Sequence, residues 1–185
     1  MQRLLSSALS DKQHPANKKK NERGRGDLPL YHLYTDGSSS HITNEGGWSF
    51  IIIDSKGFSA QGYGYEPKAT NNSMELKAAV QGLWHLANEK CHINLYSDSA
   101  YMINTLRNEW WRDWEKNKWV KRDGVPTPNN AYWKELIYLL KFNPLSLIKV
   151  KAHSGDKFND YCDKLAKEAR KTRGLGKLDI DLEEG

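Results

Sequence analysis

Leu30 to Tyr34 alternates apolar and mixed residues and then breaks at Asp36-Gly37, the pattern of a short strand running into a turn. Strand-like runs follow at about 47–54, through Gly47-Trp48-Ser49-Phe50-Ile51-Ile52-Ile53, and at 57–65, with Asp54-Ser55-Lys56-Gly57 as the turn between them. Three strands in quick succession predict an antiparallel meander, and the isoleucine run predicts burial on both sheet faces. The period then changes. Met74, Leu76, Ala78, Ala79, Val80, Leu83, Trp84, Leu86 and Ala87 populate a helical face over 73–88, behind the cap-type residues Thr70-Asn71-Asn72-Ser73. A strand over 92–97 passes into a helix beginning near Asp98, which carries Tyr101, Met102, Ile103, Leu106 and Trp110 inward. After Pro126 and Pro128 come a helix over 129–142, a last strand over 146–151 and a helix over 156–171 with Tyr161, Leu165, Ala166 and Ala169 on one stripe. Strands first clustered and then alternating with helices predict an α/β fold, a five-stranded mixed sheet covered on both faces.

The two ends fall outside this pattern. Residues 1–27 hold seven basic side chains against three acids, so +4 of the chain's net +5 lies there, with Pro15, Gly24, Gly26 and few large apolar residues. They read as a disordered basic tail. The Lys18-Lys19-Lys20 run is either a solvated stretch or a nucleic-acid tether, and a mitochondrial targeting role is a further alternative. Residues 173–185 read as an acidic tail, leaving 28–172 as the folded domain. The pI near 9.1 leans toward an anionic partner. Mean hydropathy is −0.80 and no apolar run approaches the ~20 residues of a membrane span, so no membrane association is expected. Cys91 and Cys162 have no CxxC or His-rich surroundings, which points to a reducing cytoplasm rather than a disulfide framework or zinc site.

Four acids stand out by position. Asp36 ends the first strand, Asp98 sits between the fourth strand and its helix, Glu75 lies one turn into the first helix, and Asp163 lies in the last helix. Each has a bland reading alone: Asp36 capping its own turn, Asp98 as a helix N-cap, Glu75 favouring the first-turn dipole, Asp163 paired with Lys167. If the first and fourth strands are neighbours, however, Asp36 and Asp98 leave the sheet side by side. Two ionised carboxylates so close need a divalent cation or a raised pKa.

Tyr34-Thr35-Asp36-Gly37-Ser38, Thr70-Asn71-Asn72-Ser73-Met74-Glu75-Leu76, Tyr96-Ser97-Asp98-Ser99 and Lys151-Ala152-His153-Ser154-Gly155 with Asn159 and Cys162-Asp163 together resemble type 1 ribonuclease H, in order and with similar spacings over about 28–172. The resemblance implies the ribonuclease H-like fold, with three antiparallel and then two parallel strands and a basic handle protrusion. It implies an endonuclease that cuts the RNA strand of RNA–DNA hybrids by a two-metal-ion mechanism, leaving 5′-phosphate and 3′-hydroxyl ends. Asp36, Glu75, Asp98 and Asp163 would hold two Mg²⁺ ions, with Mn²⁺ able to substitute, and His153 would aid proton transfer or product release.

By the same resemblance Asn71 and Asn72 contact the hybrid's groove, while Thr70, Asn129 and Lys68 form a DNA-phosphate pocket in which family members often place Arg at the Lys68 position. Asn44 stands in for a groove-contacting Asn of the loop after Asp36, and Ala100 replaces a polar side chain found in some relatives. Residues 107–122 interleave four tryptophans with six basic residues and three acids and match the handle. There Trp110, Trp114 and Trp119 either pack the handle onto the body or stack on bases, with Trp110 counted among the substrate contacts, and Arg112, Lys116, Lys118, Lys121 and Arg122 remain for phosphates. The chain is expected to act as a monomer. The competing class is a non-catalytic binding module on the same fold; such a module gains by losing clustered acids, since they repel phosphate.

Overall fold

The computed structural model describes residues 28–151 and 155–175. Five strands, β1 (Leu30–Ser39), β2 (Gly46–Asp54), β3 (Gly57–Glu66), β4 (His92–Ser97) and β5 (Leu145–Lys149), form one sheet in the order β3-β2-β1-β4-β5. The first three pair antiparallel, and β4 joins β1, and β5 joins β4, in parallel. The helices are α1 (Asn71–His85), α2 (Ala100–Arg107), α3 (Trp111–Lys116), α4 (Asn130–Leu139) and α5 (Lys157–Lys171). The two cysteines are buried and free, and no helix among the described residues is long and apolar enough to cross a membrane. Residues 1–27 and 176–185 lie outside the described residues.

The isoleucine run of β2 explains the layering. Ile52 joins Leu33, Leu76, Val80, Leu95 and Trp133 in a large core under α1, α2 and α4. Ile51 points the other way, into a smaller cluster with Tyr34, Tyr161, Cys162 and Leu165 under α5. Alternate side chains of one strand therefore feed two cores. Two hydrogen bonds fasten α5 to the sheet: the Ser49 hydroxyl donates to the Cys162 carbonyl (2.8 Å), and the Tyr161 hydroxyl to the Gln61 side chain (2.8 Å).

Three expectations are corrected. The first strand does not stop at Asp36-Gly37: its ladder with β2 continues through Asp36↔Ser49 to Ser39↔Gly46, and the turn falls in the loop beyond. Gly37 is needed for another reason. A Cβ there would lie 2.3 Å from the Glu75 amide nitrogen and 2.5 Å from the Met74 carbonyl carbon, because the first turn of α1 rests on this strand. Backbone cannot yield as a flexible side chain would, so Gly37→Ala is expected to destabilise by ~3 kcal/mol. The midpoint of urea unfolding checks this; a shift worth under about 0.5 kcal/mol would mean that α1 retreats freely.

Trp110 does not point inward. Glu109 adopts a left-handed conformation (φ 53°) that breaks the helix after Arg107, so Trp111 takes the buried place and Trp110 is 50% exposed. Trp84, placed on the apolar face of α1, is 42% exposed and lies beside Tyr138 and Phe142, with its indole N–H donating to Glu135.

Candidate active site

Asp36, Glu75 and Asp98 converge so that one carboxylate oxygen from each lies within 4.8 Å of the others. The topology dictates this. Parallel pairing of β1 with β4 ends at Tyr34↔Tyr96, and the same offset carried two residues further sets Asp36 level with Asp98. There the chain of β4 leaves the sheet. Its turn is fixed by serines on either side of Asp98: the Ser97 hydroxyl accepts from the Ser99 amide (3.1 Å), and the Ser99 hydroxyl accepts from the Met102 amide (3.2 Å). Ser99, not Asp98, is therefore the N-cap of α2, so the bland reading of Asp98 is withdrawn.

Glu75 is delivered by α1. Thr70 caps that helix: its hydroxyl accepts from the Ser73 amide (3.2 Å) while the Ser73 hydroxyl accepts from the Thr70 amide (2.9 Å), a reciprocal pair. Thr70 is thus the N-cap of α1, its hydroxyl acting there as an acceptor, and Asn71 and Asn72 are the first helical residues rather than caps. Seated over Gly37, the helix buries Glu75 to 3% exposure and leaves its Oε2 with no hydrogen-bond partner among the described residues. The Asn71 side chain reaches its other oxygen at 3.5 Å.

The electrostatics follow from burial. Asp36 is 5% exposed, and desolvation, then the charges of Asp98 and Asp163, push its carboxyl up to about 8, against the opposing pull of the Gly37 amide and Lys167. Desolvation and the charges of Asp36 and Asp98 likewise raise Glu75 well above the usual carboxylate range. An orphaned buried oxygen among carboxyls whose pKa values burial and mutual repulsion raise is the signature of a set that wants a cation. The residues fit a hard divalent ion.

Asp163 stands beside this trio without belonging to its tightest group. Its carboxylate accepts from Lys167 at 2.6 Å, the i+4 pair foreseen as its bland reading, yet it faces the same cleft and its charge reaches Asp36. The cleft, about 580 Å³, is lined by all four acids, Asn71 and Asn72, and also by Ser38, Ser39, Asn159 and Arg170. These last four carried no role in the sequence. The helical spacing of Asn159, Asp163, Lys167 and Arg170 is the signal that links the α5 members of the site.

The other candidates lie elsewhere. Lys68, Thr70, Asn129, Asn44 and the basic residues of 107–122 do not line the cleft. Asn44 has a left-handed backbone (φ 56°), and its carbonyl accepts from the Ala69 amide (2.7 Å), so it fixes the loop between β1 and β2 against the loop entering α1. Asn129 is also left-handed (φ 58°), at the start of α4. Arg112 is not free: it makes two hydrogen bonds to Glu109 (2.7 and 2.8 Å) and lies over the Trp111 ring. Lys116 faces Asp113 at 3.5 Å in an exposed pair of little energetic weight. Trp114 packs edge-on to Trp133 and Trp119 is buried beside it, whereas Lys118, Lys121 and Arg122 are exposed. His153 lies outside the described residues.

The RNase H family profile matches residues 30–171. Ribonuclease H of Caldanaerobacter subterraneus subsp. tengcongensis is 44% identical over 139 residues, covering 75% of this chain and 90% of that protein. Ribonuclease H of Chlorobium limicola is 40% identical over 139 residues, covering 75% and 94%. Among solved structures, LC9-RNase H1, a type 1 RNase H with the type 2 active-site motif, superposes with a TM-score of 0.68 at 20% identity, covering 81% of this chain and 76% of that one. The foamy viral protease-reverse transcriptase in complex with RNA/DNA hybrid gives 0.64 at 16% identity, covering 87% of this chain and 22% of that one.

Proposed function

The chain belongs to the ribonuclease H family, and from that premise we propose that it is an endonuclease cutting the RNA strand of RNA–DNA hybrids in the Asp36–Glu75–Asp98–Asp163 cleft, leaving 5′-phosphate and 3′-hydroxyl ends. The observation that carries this reading is the buried convergence of three carboxylates with a fourth beside them. All-oxygen donors suit Mg²⁺, with Mn²⁺ as a substitute, and Asp36, Glu75, Asp98 and Asp163 are the residues to hold two such ions. When bound, paired divalent ions activate a water and stabilise the leaving oxygen of an in-line displacement.

The protein's own groups supply placement. Asn71 and Asn72, exposed at the start of α1, offer amide donors and acceptors to 2′-hydroxyls in the hybrid's wide minor groove. The contact of Asn71 with Glu75 couples that reading to a carboxylate of the cluster. Lys167 offsets the charge of Asp163, which eases the approach of a phosphate. Lys118, Lys121 and Arg122 are placed by resemblance along the DNA strand, with Lys68, Thr70 and Asn129 around one of its phosphates. His153 is assigned to proton transfer or product release, suited by an imidazole pKa near working pH. We assign the chain to a monomer in the cytoplasm.

Incubation with labelled RNA–DNA hybrid, duplex DNA, duplex RNA and single-stranded RNA, with Mg²⁺ or EDTA, tests the proposal. Cleavage is expected of the hybrid's RNA strand alone and only with the metal. Tight, Mg²⁺-indifferent binding without cleavage would instead establish a binding module.

A further inference from the structure

The side of α5 that faces the carboxylates carries Asn159, Asp163, Lys167 and Arg170, spaced four, four and three residues apart and all lining the cleft. Asp163 and Lys167 satisfy each other at 2.6 Å. Arg170 differs. Its Nε is buried with no hydrogen-bond partner, and it enters no ion pair among the described residues. Glu45, an acid of the same sheet edge, is held by Arg173 (2.9 Å) and by the Tyr65 hydroxyl (2.7 Å). A partly buried guanidinium left without an anion carries a desolvation cost that the free protein does not offset.

The position of Arg170 is imposed by the fold. At Gly47 of β2 an added Cβ would lie 2.2 Å from the Ala166 carbonyl oxygen and 2.7 Å from the Arg170 amide nitrogen, so α5 rests directly on that strand. Ser38, near the end of β1, lines the same cleft and pairs with Gly47, so its side chain shares the sheet face on which α5 lies. Ser39 pairs instead with Gly46, where an added Cβ would meet Ala69 and Met74 on the α1 face. Arg170 and the hydroxyl-bearing Ser38 thus stand on one face of the sheet in the same cleft, at a distance along α5 from Asp163. Seven residues separate Arg170 from Asp163, or ~10 Å along the helix axis, so Arg170 stands beyond the cluster and not within it.

We infer that Arg170, together with Ser38, binds one backbone phosphate of the RNA strand flanking the bond that is cut, and so sets that strand's position over the carboxylates. The inference rests on reading the cleft as a hybrid nuclease site. Arginine suits the task because its planar fork meets two phosphate oxygens at once and holds its charge at every working pH.

The test compares the full-length chain with Arg170→Ala and Arg170→Lys. Cleavage is followed at steady state, and binding of labelled hybrid is measured over a range of salt in an Asp98→Asn background. Arg170→Ala is expected to weaken binding about 10-fold and to lower the salt slope by about 1. It should raise KM with kcat nearly unchanged, and leave Tm the same or higher, since a buried unpaired donor is removed. Arg170→Lys should restore the salt slope but not the full affinity. Hybrids carrying a single neutral methylphosphonate in place of one RNA phosphate add a direct readout: one position near the cut should weaken the parent protein and leave Arg170→Ala indifferent. Unchanged affinity and slope in Arg170→Ala, the same neutral-linkage penalty in both proteins, or a loss of Tm would each overturn the assignment. Failure of the parent chain to cut hybrid would instead overturn the reading on which it rests.

Discussion

Asp98→Asn is expected to lose ~10³-fold or more of hybrid cleavage while melting no lower than the parent chain. The two halves of that outcome have one cause. Asp98 is among the charges that raise the pKa of both Asp36 and Glu75, so an uncharged isostere relieves repulsion in the metal-free fold. The same change removes one of three oxygen donors that lie within 4.8 Å of one another, and with it the capacity to hold divalent ions in a reactive arrangement. The turn around Asp98 survives, because Ser97 and Ser99 fix it through their own hydroxyls. Cleavage at or near parental rates would remove Asp98 from the site. A fall in Tm of several degrees would show that its carboxylate supports the fold instead of straining it. Hybrid binding persists in this variant, since the groove-reading amides and basic residues are untouched.

Without metal the protein is expected to lose stability as pH rises from about 4 to about 8. The folded form holds the Asp36 proton more tightly than an unfolded chain does, its pKa standing at about 8 against an ordinary 3.8. The stabilising contribution is therefore complete below 3.8 and disappears as pH climbs through 8. Each pKa unit corresponds to about 1.4 kcal/mol, so the cluster's penalty reaches several kcal/mol, equivalent to a Tm decrease of ~10 °C in EDTA between pH 5 and pH 8. Millimolar Mg²⁺ should recover most of that loss at pH 8 and little at pH 5. His32, whose burial lowers its pKa, acts in the opposite sense, and the difference between Mg²⁺ and EDTA at each pH cancels it. A metal-dependent Tm gain that is equal at both pH values would sink this account.

The elements whose pattern is local were legible in the sequence. The isoleucine run of β2 announced a strand buried on both faces, and the apolar stripe of α5 announced its register. The four acids were legible because they fall in four short segments at element boundaries. What escaped depends on partners far away in the chain. The length of β1 is decided by its ladder with β2, which carries pairing past Asp36 to Ser39 regardless of the Asp-Gly break. The exchange of Trp110 for Trp111 hangs on one left-handed residue, Glu109, which resets the helical face between α2 and α3. Arg112, read as free, is claimed by an acid three positions earlier. Arg170 drew no reading from the sequence, because only the close seating of α5 on Gly47 reveals where it sits.

The unequal thickness of the two layers matters for how the enzyme would fail. Glu75 rides on α1 and Asp98 leads into α2, on the side where α1, α2 and α4 share one broad apolar interior, whereas Asp163 rides on a lone helix over a handful of side chains. Warming is therefore expected to loosen the lone helix first, stripping the centre of its outlying acid while the rest of the molecule still holds its shape, an order that amide hydrogen exchange along α5 and α1 would check. Activity then fades at temperatures where most of the protein remains intact.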